Sequence, residues 1–165
     1  MKIKKHEARP DLTGEHPLGD LGQLILLIVF IFVWIVDIFF INLTETQYLN
    51  LSLSIRIPIG IIILITGFYL AFKSMKLVFG TKRKQAEVIR DKVYDKIRHP
   101  MYLGALLFYL GITILMYSIP LFITFIVIFI FYNFIAKYEE RLLIKRFGED
   151  YANYMKRVRR WIPKF

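Results

Sequence analysis

The sequence predicts an all-α polytopic membrane protein with four transmembrane helices, the third and fourth forming a tight hairpin, followed by a C-terminal amphipathic helix at the interface. Three observations predict it. First, apolar residues make up 56% of the 165-residue chain and mean hydropathy is +0.49, more apolar content than one small core can bury. Second, charge is segregated along the chain. Asp37 is the only Asp, Glu, Lys, Arg or His between Leu21 and Leu43, none occurs from Ile57 to Phe72, and the 37 residues Pro100–Ala136 contain none. Third, of the 23 Lys and Arg residues, 22 fall on one side of a four-span topology, leaving only Arg56 on the other.

The chain reads as a single membrane domain over residues 1–165. Residues 1–20 form a polar tail, too long to precede a cleavable signal, and no Ala-x-Ala-like site follows the first apolar stretch. Residues 21–43 are therefore expected to be a retained span, about 34 Å long at 1.5 Å per residue. Its one charge, Asp37, lies about 9 Å below the far interface on that geometry, within reach of Arg56 across the 44–54 loop. A second span covers 55–79. The apolar run from Pro100 to Ala136 would measure about 55 Å as one helix, far beyond a hydrocarbon thickness of roughly 30 Å, so it must fold back. Ser118-Ile119-Pro120 marks the place, because proline suits a first helical turn and a preceding serine caps free amides. The spans are then 100–117 and 119–136. Gly60 and Gly67 in the second span, and Gly104 and Gly111 in the third, are each seven apart on one helical face, the pattern of close helix packing.

Orientation follows from the basic residues. The tail carries four, the stretch Lys73–Arg98 nine and the region from Lys137 another nine, which places both termini on the cytoplasmic side. The net charge of +10 is thus mainly a topology signal with a secondary affinity for anionic lipid headgroups, and no nucleic-acid partner is expected. Residues 137–165 alternate charge with apolar residues. Phe147, Tyr151, Tyr154, Val158 and Trp161 form one helical stripe, expected to lie along the headgroup layer, with a bend at Gly148.

The absence of cysteine excludes disulfides, thiolate catalysis and Cys-type metal centres, and three scattered histidines (His6, His16, His99) do not form a metal cage. No metal is expected. Glycine-rich phosphate-binding motifs are also absent. Two charged motifs remain. Arg98-His99-Pro100 stands at the entry to the third span, where unpaired helix amides suit an anionic group, and Tyr102 lies one turn on. Glu139-Glu140 follows the fourth span, two acids on the most basic face, which suits a cationic ligand. A tight hairpin brings both motifs to one mouth.

The pattern Tyr94-x3-Arg98-His99-Pro100-Met101-Tyr102-Leu103-Gly104, followed by Glu139-Glu140, Phe147-Gly148-x2-Tyr151-x2-Tyr154 and Arg160-x-Ile162-Pro163, resembles the isoprenylcysteine carboxyl methyltransferase and phospholipid methyltransferase superfamily over roughly residues 60–165. The resemblance implies an S-adenosylmethionine-dependent methyltransferase acting at the cytoplasmic membrane surface on a lipophilic acceptor that enters from the lipid bilayer. It implies cofactor contacts at Tyr94, Arg98, His99, Pro100, Tyr102, Gly104, Glu139 and Glu140. It favours carboxyl O-methylation of the isoprenylcysteine type, with Arg141 assigned by position to the acceptor's carboxylate. No side chain is assigned as a catalytic base. Many members carry Gly-Pro before the matched tyrosine, where this chain has Lys92-Val93, and the Gly-x-Gly motif of the phosphatidylethanolamine branch is absent. Two other readings share some of these features. Sterol reductases carry a similar Arg-His-Pro segment and bind NADPH, for which Lys82-Arg83-Lys84 offers phosphate contacts, and a non-catalytic lipid- or partner-binding membrane protein accounts for the basic surface.

Overall fold

A computed structural model describes residues 19–41, 52–80 and 87–163. Five helices follow in order: α1 (Gly19–Val36, continued by a π-helical turn over Asp37–Ile41), α2 (Leu53–Phe79), α3 (Pro100–Met116), α4 (Ile119–Phe147) and α5 (Glu149–Arg157). A short 3-10 turn, Lys92–Asp95, precedes α3. The expected N-terminal tail up to residue 18, the 42–51 connection and Lys82-Arg83-Lys84 lie outside the described residues.

Three of these helices are long and apolar enough to cross a membrane, within Leu21–Phe40, Leu53–Phe79 and Ile119–Phe147; α3, at 17 residues, is apolar but shorter. Their outer faces are apolar side chains such as Leu24, Ile28 and Phe32 on α1, Ile62, Ile65 and Phe72 on α2, and Ile123, Ile130 and Phe134 on α4, all exposed. Such surfaces are stable only with lipid tails as solvent. The chain is a helical membrane protein.

The turn at Ser118 forms as its residues dictate. Tyr117 ends α3 in the left-handed region at φ 53°, Ser118 Oγ accepts a bond from Leu121 N at 3.3 Å, and Pro120 stands in the first turn of α4. The same hydroxyl donates to Asp37 Oδ2 at 2.5 Å. Asp37, at the start of the π-helical turn that continues α1, is thereby buried against the hairpin turn, while the Arg56 guanidinium lies 5.5 Å from the Tyr117 ring centroid.

The paired glycines meet as antiparallel partners. A Cβ on Gly104 would stand 2.8 Å from Gly67 O and one on Gly67 2.9 Å from Gly104 O; Gly60 and Gly111 oppose each other in the same way at 3.2–3.3 Å. The two backbones touch, so neither can carry a side chain without moving apart. The core beside this seam joins α1, α3 and α4 through Phe30, Leu106, Tyr109, Leu121, Ile128 and Tyr132, with the Phe30 and Tyr109 rings edge to face at 4.9 Å.

Two expectations are corrected at the C-terminal side. The fourth helix does not stop at residue 136: it continues unbroken through Glu139 and Glu140 to Phe147 and bends at Gly148, φ +58°. The stripe of Phe147, Tyr151, Tyr154 and Val158 does not face lipid. Tyr151, Tyr154 and Val158 are buried with Val88, Leu143 and Met155 packed against them, so α5 folds onto the end of α4 and the segment before α3. Beyond α5 the chain leaves the helix at Val158, whose backbone is extended. Ile97 and Arg159 form a parallel bridge, with Arg98 N donating to Arg159 O at 3.0 Å.

Candidate functional site

Helix α3 begins at Pro100, whose ring fixes a helical φ and lacks an amide hydrogen to satisfy. His99 is its N-cap and makes no side-chain capping bond, which leaves the imidazole for other partners. Because α3 and α4 are antiparallel and α4 overshoots the hairpin by more than two turns, Glu139 and Glu140 return to the level of His99. The expected convergence occurs.

Glu140 is the hub. Only 3% exposed, its Oε1 lies 3.2 Å from His99 Nε2, 3.3 Å from Arg98 Nη1 and 3.0 Å from Arg160 Nε, and its Oε2 accepts from Arg160 Nη2 at 2.5 Å. Arg160 Nη1 also donates to Asn133 Oδ1 at 2.7 Å, and Trp161 Nε1 lies 3.4 Å from the same oxygen. Glu139 stands a step further out, accepting from the Tyr102 hydroxyl and lying 3.7 Å from His99 Nδ1. The His99 and Tyr102 rings are parallel at 5.6 Å.

Burial lowers the His99 pKa below its usual value, against the opposing bond and charge of Glu140. Burial would raise that of Glu140, but the hydrogen bonds from His99 and Arg160 and the charge of Arg98 outweigh it and hold the carboxyl at about 2. The bond to Glu140 raises the pKa of Arg160. The cluster therefore holds a neutral imidazole and a firmly ionised carboxylate between two guanidinium groups.

A cavity of about 130 Å³ adjoins it, walled by Tyr94, Arg98, Phe147, Tyr151 and Tyr154, with Glu87 at its edge. Arg98 Nε is buried and has no hydrogen-bond partner. Tyr154 Oη donates to Tyr94 O at 2.5 Å, fixing the loop wall to α5. The described walls enclose less than a whole small-molecule site, which typically measures about 300–1,000 Å³.

Of the residues singled out from sequence, Arg98, His99, Tyr102, Glu139 and Glu140 come together, Pro100 sets the helix start they depend on, and Tyr94 lines the adjoining cavity. Gly104 does not face the cluster; it packs on Gly67 of α2. Arg141 is exposed and takes no part in the cluster. Sequence reasoning missed Arg160 and Asn133 as members. Arg160 stood in the quoted C-terminal pattern, whereas Asn133, an isolated amide in an apolar span, was a signal that could have been read.

The fold and site define a multi-span helical membrane protein whose charged centre sits at the end of a helical hairpin, sealed by its own C-terminal segment. The chain belongs to the phospholipid methyltransferase family, whose model matches residues 55–150. That match takes in α2 from residue 55 onward and the whole of α3 and α4, and with them both charged motifs. Membership of this family implies membrane methyltransferase activity. A comparison with curated proteins returned no match.

Proposed function

We propose that the protein is an integral membrane S-adenosylmethionine-dependent methyltransferase acting on a lipophilic acceptor, by carboxyl O-methylation of the isoprenylcysteine type, with its charged centre and both termini on the cytoplasmic side. The observation that carries this reading is the pairing of a buried guanidinium nitrogen without a partner, Arg98 Nε, with an aromatic cavity, on a chain of this family.

The residues fit the cofactor group by group. Arg98 Nε and the first-turn amides of α3 suit its carboxylate, and Glu139 suits its ammonium. Tyr94, Tyr151 and Tyr154 offer ring faces to an adenine. Glu140 already has both oxygens engaged, so its part is positioning: it holds Arg98 and His99 in place. When bound, S-adenosylmethionine supplies a methyl group on a sulfonium, open to in-line displacement by a nucleophile placed about 3 Å away. The residues bind, orient and exclude water.

An acceptor that arrives ionised is supported by the chemistry of the cluster. An ammonium acceptor must lose a proton along the way, and Glu140, held ionised between two guanidinium groups, is a weak base for it. A carboxylate has no proton to transfer: its oxygen would take the methyl as the carbon–sulfur bond of the bound cofactor broke, which would leave an ester and a thioether, so these residues need only bind and orient it. Exposed Arg141 is assigned to steer that carboxylate.

The test is transfer of radiolabelled methyl from S-adenosylmethionine into organic-extractable material by the purified protein in lipid nanodiscs. With prenylated cysteine as acceptor, base-labile label is expected, and Glu139→Gln should lower it at least tenfold. Label that resists base, found on phosphatidylethanolamine, would refute the carboxyl assignment.

A further inference from the structure

A second cavity, larger and chemically unlike the first, lies between α2, α3 and the 3-10 turn. It measures about 690 Å³, and its lining includes three leucines, Leu70, Leu103 and Leu107, and three lysines, Lys73, Lys92 and Lys96. Neither acid nor any of Tyr102, Glu139 and Glu140 lines it. The groove thus shares no lining residue with the cavity beside the charged centre, and buried Ile97 is part of its wall.

The groove has a direction. Along α2 its lining runs from Thr66 through Tyr69 and Leu70 to Lys73, about 10 Å of helix, with the cation at the end nearer the C-terminus of α2. Among the described residues, none of the three lysines stands in an ion pair; the Lys73 ammonium lies 5.4 Å from the Tyr69 ring centroid. Beside it, Phe68, Tyr69 and Phe72 are exposed on the lipid-facing side of α2. A slot lined by three leucines and three lysines, with no carboxylate among its lining residues, complements one kind of molecule. Lysines near an anionic surface are each attracted appreciably, and a phosphate shared by three of them is held more tightly than one on a flat surface.

We propose that this groove holds an anionic phospholipid of the surrounding bilayer, its headgroup phosphate on Lys73, Lys92 and Lys96 and an acyl chain against Leu70, Leu103 and Leu107, as a resident lipid distinct from the methyl acceptor. Because Lys92 and Lys96 flank Tyr94 and lead into Arg98, the bound lipid braces the segment that walls the charged centre. The inference does not depend on the reaction proposed above.

Native mass spectrometry of the full chain released from detergent with phosphatidylglycerol or phosphatidylcholine tests it. Wild type is expected to retain one phosphatidylglycerol in preference to phosphatidylcholine. The triple variant Lys73→Ala/Lys92→Ala/Lys96→Ala should retain it at least tenfold less, and Leu107→Trp, which fills the slot and leaves the charge intact, should also lose it. Replacing all three lysines by arginine should preserve retention and show that the site tolerates the changes. A control removing equal charge elsewhere, Lys145→Ala/Lys156→Ala/Arg157→Ala, should stay within about twofold of wild type. Equal retention of both lipids, equal loss in the control, or displacement of the lipid by inorganic phosphate at the same concentration would overturn the proposal. So would lysine variants that keep phosphatidylglycerol but lose turnover of the methyl acceptor, since the groove would then belong to the acceptor.

Discussion

Glu139→Gln and Glu140→Gln, adjacent and chemically identical changes, should have opposite consequences. Glu140 is 3% exposed and neutralises two guanidinium groups whose side chains are 11% and 22% exposed. Replacing its carboxylate by an amide leaves Arg98 and Arg160 facing each other across a neutral group. Breaking a buried ion pair by removing one partner costs about 3–5 kcal/mol; the partial exposure of Arg160 reduces this to about 2–4 kcal/mol. For a chain of this length, about 1 kcal/mol moves a thermal midpoint by about 2–4 °C, so Glu140→Gln should lower it by roughly 4–16 °C. Glu139 is further out, its bonds are to Tyr102 and His99, and the Tyr102 hydroxyl can still donate to an amide oxygen. Glu139→Gln should cost less than about 1 kcal/mol yet abolish measurable cofactor binding. Circular dichroism melts in detergent, paired with calorimetric titration of S-adenosylhomocysteine on the folded variants, read both quantities. A Glu140→Gln midpoint within 2 °C of wild type, or equal midpoints for the two variants, would refute the division of roles.

The Lys92 backbone has φ 55°, a left-handed conformation that costs a side-chain-bearing residue about 1 kcal/mol; Lys92→Gly should raise the midpoint by a few degrees at most, and a fall would contradict the strain. Gly104→Ala places a Cβ 2.8 Å from backbone atoms of α2 and should cost about 1–3 kcal/mol by overpacking, measured by the same melts, whereas alanine at Gly148 should owe its cost to the positive φ alone. Acidification should destabilise the protein in two stages. His99 is held neutral when folded but takes a proton near pH 6.5 when unfolded, so stability declines as pH falls below about 6.5. Glu140, held at about 2 against 4.5 when free, contributes stability that is present above about pH 4.5 and lost as pH falls towards 2. His99→Asn should remove the first stage from the pH dependence of the midpoint and leave the second.

Features encoded locally were legible in the sequence. Ser118-Ile119-Pro120 specified the hairpin because capping and proline placement act within one turn, and the seven-residue glycine spacing specified the α2–α3 seam because it repeats on one helical face. The Lys92-Val93 pair was also informative: the backbone there is left-handed, with a φ of 55° on a lysine. The C-terminal stripe was misread for a physical reason. Aromatic residues spaced along one face look the same whether lipid or protein covers them, and only the arrival of Val88 and Leu143 decides. The partnership of Glu140, Arg160 and Asn133 was equally hidden, since it depends on the chain turning back after α5 and pairing Arg159 with Ile97. The groove beside α2 has no sequence signature, for its lysines come from two segments and were counted only as topology signals.

The most direct test of the account is isothermal titration of the purified protein with S-adenosylhomocysteine and, separately, with NADPH. Saturable micromolar-range binding of S-adenosylhomocysteine, lost in Glu139→Gln and weakened in Arg98→Lys, with no response to NADPH, is the result predicted. Binding of NADPH alone would contradict it.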